Sequence, residues 1–238
     1  MTMTAAEKLK RYGLFIISLF FAAMGVAITK HGELGVSPIS SVANVFSCTD
    51  IKLSLGALLI IWNCVLILGQ IIILRRDFKA VQLLQIPLSF LFGFFTDFGM
   101  YCVSYITVDS YVGRIALVLC GTVILGFGIA LAVIANVIMN SGEAFVKAVS
   151  DKFGKNFGFL KIAFDIACVL VSVLLSLAFF DGRIIGTREG TIITALLTGL
   201  VVNFFVKLLS GKLNVLLTSG KSRKSDEKDA DMTDAEVR

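Results

Sequence analysis

Long uncharged apolar stretches constrain this chain more than any other feature of its sequence. Residues 12–29, 53–74 and 115–142 form three such stretches, of 18, 22 and 28 residues. About 20 apolar residues in a helix cross the hydrocarbon core of a bilayer. With 57% hydrophobic and only 16% charged residues, the chain is too apolar for a water-soluble domain. The sequence therefore predicts a protein that folds in a lipid bilayer.

Three further apolar runs are less clearly bounded, and two of them contain charged residues. They cover about 83–103, 159–180 and 191–205; the first contains Asp97 and the second contains Asp165. The apolar blocks are continuous and lack the alternation of apolar and polar residues that membrane β-strands require. We therefore predict an all-α, polytopic membrane bundle of six transmembrane helices.

The distribution of basic residues predicts how this bundle is oriented. If the N-terminus lies inside the cell, 17 of the 22 Lys and Arg residues lie on the inner side. Short basic segments resist translocation, so both termini are predicted to be cytoplasmic. The membrane domain is predicted over residues 1–218. The polar segment 219–238 contains no aromatic residue and is predicted to be a disordered cytoplasmic tail.

The sequence contains signs of an internal repeat. Residues 25–28, Gly-Val-Ala-Ile, correspond to residues 128–131, Gly-Ile-Ala-Leu, 103 positions later. An aromatic residue followed by an amide or acid occurs at residues 62–63, Trp-Asn, and again at residues 164–165, Phe-Asp, 102 positions later. Matches in the same order at a nearly constant offset indicate a duplicated segment.

A third match completes the repeat. Residues 93–98, Gly-Phe-Phe-Thr-Asp-Phe, correspond to residues 199–204, Gly-Leu-Val-Val-Asn-Phe, 106 positions later. The repeats, at about 12–105 and 112–210, each contain three predicted helices. Because three is odd, the second repeat must enter the membrane from the opposite side, which predicts two inverted three-helix repeats. In many secondary transporters a substrate site lies between such repeats.

A few polar residues interrupt or border the apolar runs. Charged side chains within a membrane helix cost about 2.5–3.5 kcal/mol on insertion scales and usually face the bundle interior or an aqueous path. Two carboxylates in one cavity would favour proton coupling or a cationic solute, whereas isolated ones would only bond to neighbouring helices. The candidates for a solute or ion pathway are Asp97, Asp165, Asn63, Asn203 and Glu143.

Small polar residues break the helical pattern after the first and fourth spans. The first break contains Gly35, Ser37 and Pro38, and the second contains Ser141 and Gly142. Proline lacks a backbone amide donor, and serine side chains bond locally to the backbone. Each break therefore predicts either the start of a half-helix whose amides face an anion or an ordinary interfacial loop.

No catalytic or metal-binding motif is evident. The chain has a single histidine, His31, and its five cysteines form no CxxC pair, so no catalytic residue, metal or cofactor is expected. Whether Cys48 and Cys102, predicted near the same membrane face, form a disulfide is left open. The expected partners are the lipid bilayer and an unknown small polar solute, not nucleic acid; a homodimer is compatible with the sequence.

The six spans, with the segments 25–28, 35–38 and 93–97, resemble the YczE/YitT-type bacterial integral membrane proteins, a family largely without an assigned activity. The resemblance covers about residues 12–209. It implies a multi-pass protein of the bacterial plasma membrane and supplies neither a substrate nor roles for particular residues.

These patterns favour a secondary transporter of a small polar solute and leave two alternatives open. One is a non-transporting membrane partner of an enzyme or sensor complex. The other is a vitamin-binding subunit of an energy-coupling-factor transporter. Such subunits often have two small residues four positions apart in the first helix, a weak signal that Ala23 and Ala27 match here. No enzymatic activity is expected.

Overall fold

The computed structural model describes residues 4–236, with side chains described up to residue 218. The secondary structure of this part of the chain is all helical and includes no β-strand, as the sequence predicts. Its α-helices are α1 (Ala5–His31), α2 (Pro38–Ser47), α3 (Leu55–Leu74), α4 (Gln85–Val103), α5 (Tyr111–Ala135), α6 (Ser141–Phe153), α7 (Phe157–Phe179) and α8 (Glu189–Glu236). Two short 3₁₀ turns, Arg75–Asp77 and Ala80–Leu84, connect α3 to α4.

Six segments are long and apolar enough to cross a membrane, so the six predicted spans are confirmed. They are Ala5–His31, Leu55–Asp77, Ala80–Val103, Tyr111–Ala135, Phe157–Phe179 and Glu189–Thr218. The two short helices α2 and α6 do not span. The predicted disordered tail, 219–238, stays a prediction, because the structure describes no side chain in this segment and only the backbone of residues 219–236, within α8.

The centre of the bundle is an antiparallel pair, α1 and α5. A Cβ atom added to Gly25 would lie 2.4 Å from the backbone N of Leu125, and one added to Gly128 would lie 2.4 Å from the N of Ala22. The glycines therefore allow the two backbones to approach closely, as small residues commonly do between membrane helices. Substitution of either glycine would force the pair apart.

The other long helices pack around this pair in a regular way. Helix α4 packs on α1, and α8 packs on α5. The short helix α2 packs on α7, while the short helix α6 packs on α3. Each short helix therefore lies against a long helix that is distant from it in the sequence.

The bundle has two ends. At the N-terminal end, where α1 begins, a guanidinium nitrogen of Arg11 donates to the carbonyl oxygen of Ala135 at 3.2 Å. At the opposite end, where α1 finishes, Lys30 Nζ donates to Ser47 Oγ at 3.2 Å. Helix α3 follows α1 and the short helix α2, so it begins at the opposite end. Helix α7 follows α5 and the short helix α6, so it begins at the N-terminal end. Cys48 and Cys102 are both free thiols.

Candidate functional site

Both breaks in the sequence are the starts of short helices. Ser37 is the N-terminal cap of α2, with Pro38 in its first position, and Asn140 is the cap of α6. Neither cap side chain bonds to a first-turn amide in the described part of the chain. The backbone at Gly35 has φ +112°, and a Cβ there would lie 2.3 Å from Thr191 Oγ1, so glycine is required for the chain to turn into α2.

The first turns of α2 and α6 meet each other. A Cβ atom added to Gly142 in α6 would lie 2.9 Å from Cδ1 of Ile39 in α2. Each helix start carries a partial positive charge because its first amides have no partner within the helix. Two positive helix ends are therefore brought together inside the bundle.

A cleft with a cavity volume of about 110 Å³, partly open to the outside, lies beside these helix starts. It is bounded by α1, α3, α4 and α5 in addition to the first turns of α2 and α6. This volume is below the roughly 300–1,000 Å³ of drug-sized ligand sites and suits only a small solute. The wall is mostly apolar, and its polar side chains are Ser37, Ser40, Trp62, Asn63, Gln85, Ser89, Asn140, Ser141 and Glu143.

Two of the five pathway candidates, Asn63 and Glu143, line this cleft. Glu143 is in the first turn of α6 and is the only charged residue of the lining. Desolvation within the protein raises the pKa of Glu143; the positive charge of Lys161 opposes this shift and the negative charge of Asp165 adds to it. The cleft therefore contains one carboxyl group that retains its proton to a higher pH than an ordinary glutamate.

The other three candidates lie outside the lining of the cleft. Asp97 accepts hydrogen bonds from Ser54 Oγ at 2.6 Å and from the backbone N of Gly56 at 2.8 Å. Asp165 forms an ion pair with Lys161 one turn earlier in α7. Asn203 is exposed on the outer surface of α8. A role for these three in a solute pathway stays a prediction.

A buried pair of glutamines anchors the start of α6, and sequence reasoning missed it. Gln70 in α3 and Gln85 in α4 exchange side-chain hydrogen bonds of 3.1 and 3.2 Å. Gln70 Nε2 also donates to the carbonyl oxygen of Ser141 at 3.1 Å. The available signal was an uncharged amide within or next to an apolar run, where such residues commonly hydrogen-bond to a neighbouring helix.

Trp62 is the aromatic residue of the same wall. Its indole N–H is buried and has no hydrogen-bond partner among the described residues. A buried donor without a partner is uncommon because it loses its bond to water on folding. The wall of the cleft therefore contains one buried donor that is available to a bound acceptor.

Comparison with known proteins places the chain in a family without an assigned activity. It is similar to the uncharacterised membrane protein YczE of Bacillus subtilis (strain 168), with 26% identity over 200 residues that cover 83% of this chain and 86% of that protein. This confirms the YczE-type resemblance. No solved structure matches the chain. A family pattern matches residues 9–207, and this integral membrane protein therefore belongs to DUF6198, a family of unknown function.

Proposed function

We propose that this protein is a secondary carrier of a small polar solute that binds in the cleft between the starts of α2 and α6. The observation that supports this most strongly is the meeting of Gly142 and Ile39, which brings two helix N-termini to one cleft inside a membrane bundle. Interrupted helices whose half-helix starts face a substrate are a recurring construction of secondary transporters.

The proposal includes an inverted repeat, α1 to α4 and α5 to α8, which would supply two alternative arrangements of the same helices. Corresponding helix caps, Ser37 and Asn140, are 103 positions apart. Glu33 and Asn136, also 103 apart, both have positive φ, at 55° and 49°. The antiparallel packing of α1 on α5 supports opposite orientation of the two halves.

Buried polar pairs support the same correspondence. Gln70 and Gln85 are hydrogen-bonded to each other. The residues 102 positions later, Ser172 and Thr187, are also hydrogen-bonded, at 2.9 Å, and both are buried. Equivalent contacts at equivalent positions are expected if the two halves descend from one segment and keep its packing.

The solute is proposed to carry a carboxylate or a similar anionic group. Two helix starts favour an anion, and Asn63 and Asn140 add neutral amide donors to the same lining. An ionised Glu143 would repel such a group, whereas a protonated Glu143 would not. Binding of the solute is therefore proposed to be coupled to a proton on Glu143.

Ligand binding and flux test the proposal. The purified protein would be screened by thermal shift against small monocarboxylates and amino acids, with the corresponding amines lacking the carboxylate as controls. A ligand of the native state raises the unfolding temperature by linkage. Radiolabelled forms of the stabilising compounds would then be offered to proteoliposomes with and without an inward proton gradient. We expect protein-dependent uptake that the gradient increases.

A matched pair of variants at Asn140 distinguishes an anionic from a cationic solute. Asn140→Asp and Asn140→Ser both retain a good helix cap, but only the aspartate adds a negative charge to the cleft. Asn140→Asp is expected to weaken carboxylate binding at least tenfold, and Asn140→Ser much less. Stronger binding of amines in Asn140→Asp would reverse the assignment of charge. Absence of stabilisation and uptake across the whole panel would contradict the carrier proposal.

A further inference from the structure

The contact between α3 and α4 is unusually close. A Cβ atom added to Gly56 in α3 would lie 2.2 Å from the carbonyl oxygen of Gly93 in α4. One turn further along α4, the Asp97 carboxylate accepts from the backbone N of Gly56 and from Ser54 Oγ. Two glycines and a capping carboxylate thus bind the start of α3 to α4, at the opposite end of the bundle.

The second half contains two glycines and two polar residues at corresponding positions. Gly158 and Asn156 at the start of α7 are 102 positions after Gly56 and Ser54. In α8, Gly199 is 106 positions after Gly93, and Asn203 bears the same offset from Asp97. Residues able to form a contact of the α3–α4 kind are therefore present in α7 and α8.

The contact itself is not formed there. A Cβ added to Gly199 would meet no atom within 4 Å, and one added to Gly158 would meet only Asn156 Oδ1, at 3.2 Å. Asn203 is exposed and has no hydrogen-bond partner within the described residues. An unpartnered carboxamide on an apolar helix in lipid is unfavourable. The face of α8 that contains Gly199 and Asn203 therefore has no helix packed against it in the way that α3 packs against α4.

The remaining packing of the two halves corresponds closely. Helix α4 packs on α1 as α8 packs on α5, and α3 packs on α6 as α7 packs on α2. The pair α3–α4 is among the closely packed pairs, whereas α7 and α8 make no comparable contact in the part of the chain described. The largest difference between the halves lies in this one pair of helices.

We infer that the Gly199 and Asn203 face of α8 is an interaction surface for the start of α7 and is occupied in a second state of the protein. In that state Asn203 Oδ1 accepts from the backbone N of Gly158, as Asp97 accepts from Gly56. This inference rests on the proposed carrier function, because a carrier requires two states. The α3–α4 contact opens as the α7–α8 contact forms.

The locations of the two contacts fit this exchange. The start of α3 lies at the opposite end of the bundle and the start of α7 at the N-terminal end, since α1 and α5 are antiparallel. Formation of one contact and release of the other would therefore close the bundle at one end and open it at the other. Alternating access through inverted repeats requires such an exchange.

Cysteine cross-linking in native membranes tests the inference. In a variant whose five native cysteines are replaced, Asn156→Cys and Asn203→Cys would be combined and treated with mercuric chloride, which bridges adjacent thiolates. We expect cross-linking at least fivefold above the pair Asn156→Cys with Phe204→Cys, because the exposed Phe204 is at the same depth of α8 on a different face. The pair Ser54→Cys with Asp97→Cys reports the contact already formed and should cross-link most readily.

Weakening the first contact should strengthen the second. Adding Asp97→Ala to the Asn156→Cys and Asn203→Cys variant is expected to increase its cross-linked fraction. If that fraction stays at the level of the Phe204→Cys control with and without Asp97→Ala, the inference is overturned, provided that the Ser54→Cys and Asp97→Cys pair confirms a folded protein. An increase supports it.

This readout is separable from the test of the carrier proposal. Cross-linking of α7 to α8 without uptake of any solute would retain the two-state surface and remove the transport role. Uptake without any α7–α8 cross-linking would retain transport and remove the proposed surface.

Discussion

The starts of α3 and α7 are capped in the same way but packed differently. Both helices begin at a capped residue, Ser54 and Asn156, whose side chain accepts a hydrogen bond from a first-turn amide at 3.1 and 3.2 Å. The start of α3 is also bound by Asp97 of the helix that follows, whereas the start of α7 has no such neighbour. A capped helix start can therefore be packed against the following helix in one half and lack that contact in the other.

The largest difference is expected from leucine at the two matched glycines of α4 and α8. Gly93→Leu places a side chain against Ile60 and the carbonyl oxygen of Gly56, since a Cβ there would already be 2.6–2.7 Å from them. We expect a loss of about 3 kcal/mol or more. Gly199→Leu meets open space and should change the free energy of unfolding by less than about 1 kcal/mol. Denaturant unfolding in mixed micelles measures both; equal losses would remove the contrast.

The matched arginines at the starts of α1 and α5 should differ next. Arg11 is buried and donates to the carbonyl oxygens of Ile134 and Ala135, at the end of α5. Arg11→Met keeps an apolar stem but removes these bonds, which should cost about 1.5–3 kcal/mol. Arg114, 103 positions later, forms a partly exposed ion pair with Glu33, so Arg114→Met should cost less than about 1 kcal/mol. The same unfolding measurement applies, and a larger loss for Arg114→Met would contradict the assigned burial.

The capping residues should show a smaller contrast. Asp97→Ala removes an acceptor from the start of α3 and should destabilise the protein by about 1–2 kcal/mol. Asp97→Asn keeps an acceptor oxygen and should cost less. Asn203→Ala removes no hydrogen bond of this state and should be nearly neutral in thermal unfolding. A substantial loss for Asn203→Ala would mean that the α7–α8 contact is already populated, which sharpens the comparison.

The smallest effect is a dependence of stability on pH at Glu143, which occupies the position of uncharged Ser40 in the first half, 103 residues earlier. Because burial raises the pKa of Glu143, the folded state binds this proton more tightly than the unfolded state. Its stabilising contribution is complete below the ordinary value of 4.5 and is lost as the pH rises through the raised value. Glu143→Gln should flatten the decline in melting temperature over this range; an unchanged slope would exclude Glu143 as its source.

Periodicity and charge were sufficient to predict the fold class. Six spans follow from the uncharged runs because a bilayer admits only long apolar helices that satisfy their own backbone groups. The breaks at Pro38 and Ser141 were also recognisable, since proline and small polar residues interrupt a helical pattern. The sequence left undecided whether these breaks were loops or helix starts, because that depends on what packs against them.

The candidate site was predicted only in part. Asn63 and Glu143 line the cleft, but Asp97 caps α3 and Asn203 lies on an outer surface. A polar residue in an apolar helix indicates that a partner is needed, yet its sequence position does not identify that partner. Gln70 and Gln85 were overlooked because they lie outside the matched repeat segments from which most candidates came.

The sequence by itself determined that this chain folds in a membrane, how many times it can cross the bilayer, and which of its segments resemble one another. These properties follow from local hydrophobicity and spacing, which every residue carries wherever it lies. Only the tertiary structure decided that α2 and α6 begin face to face and that α3 is packed on α4 while α7 is apart from α8. Those relations depend on contacts between distant helices, and the energy of such a contact exists only when both surfaces have been brought together.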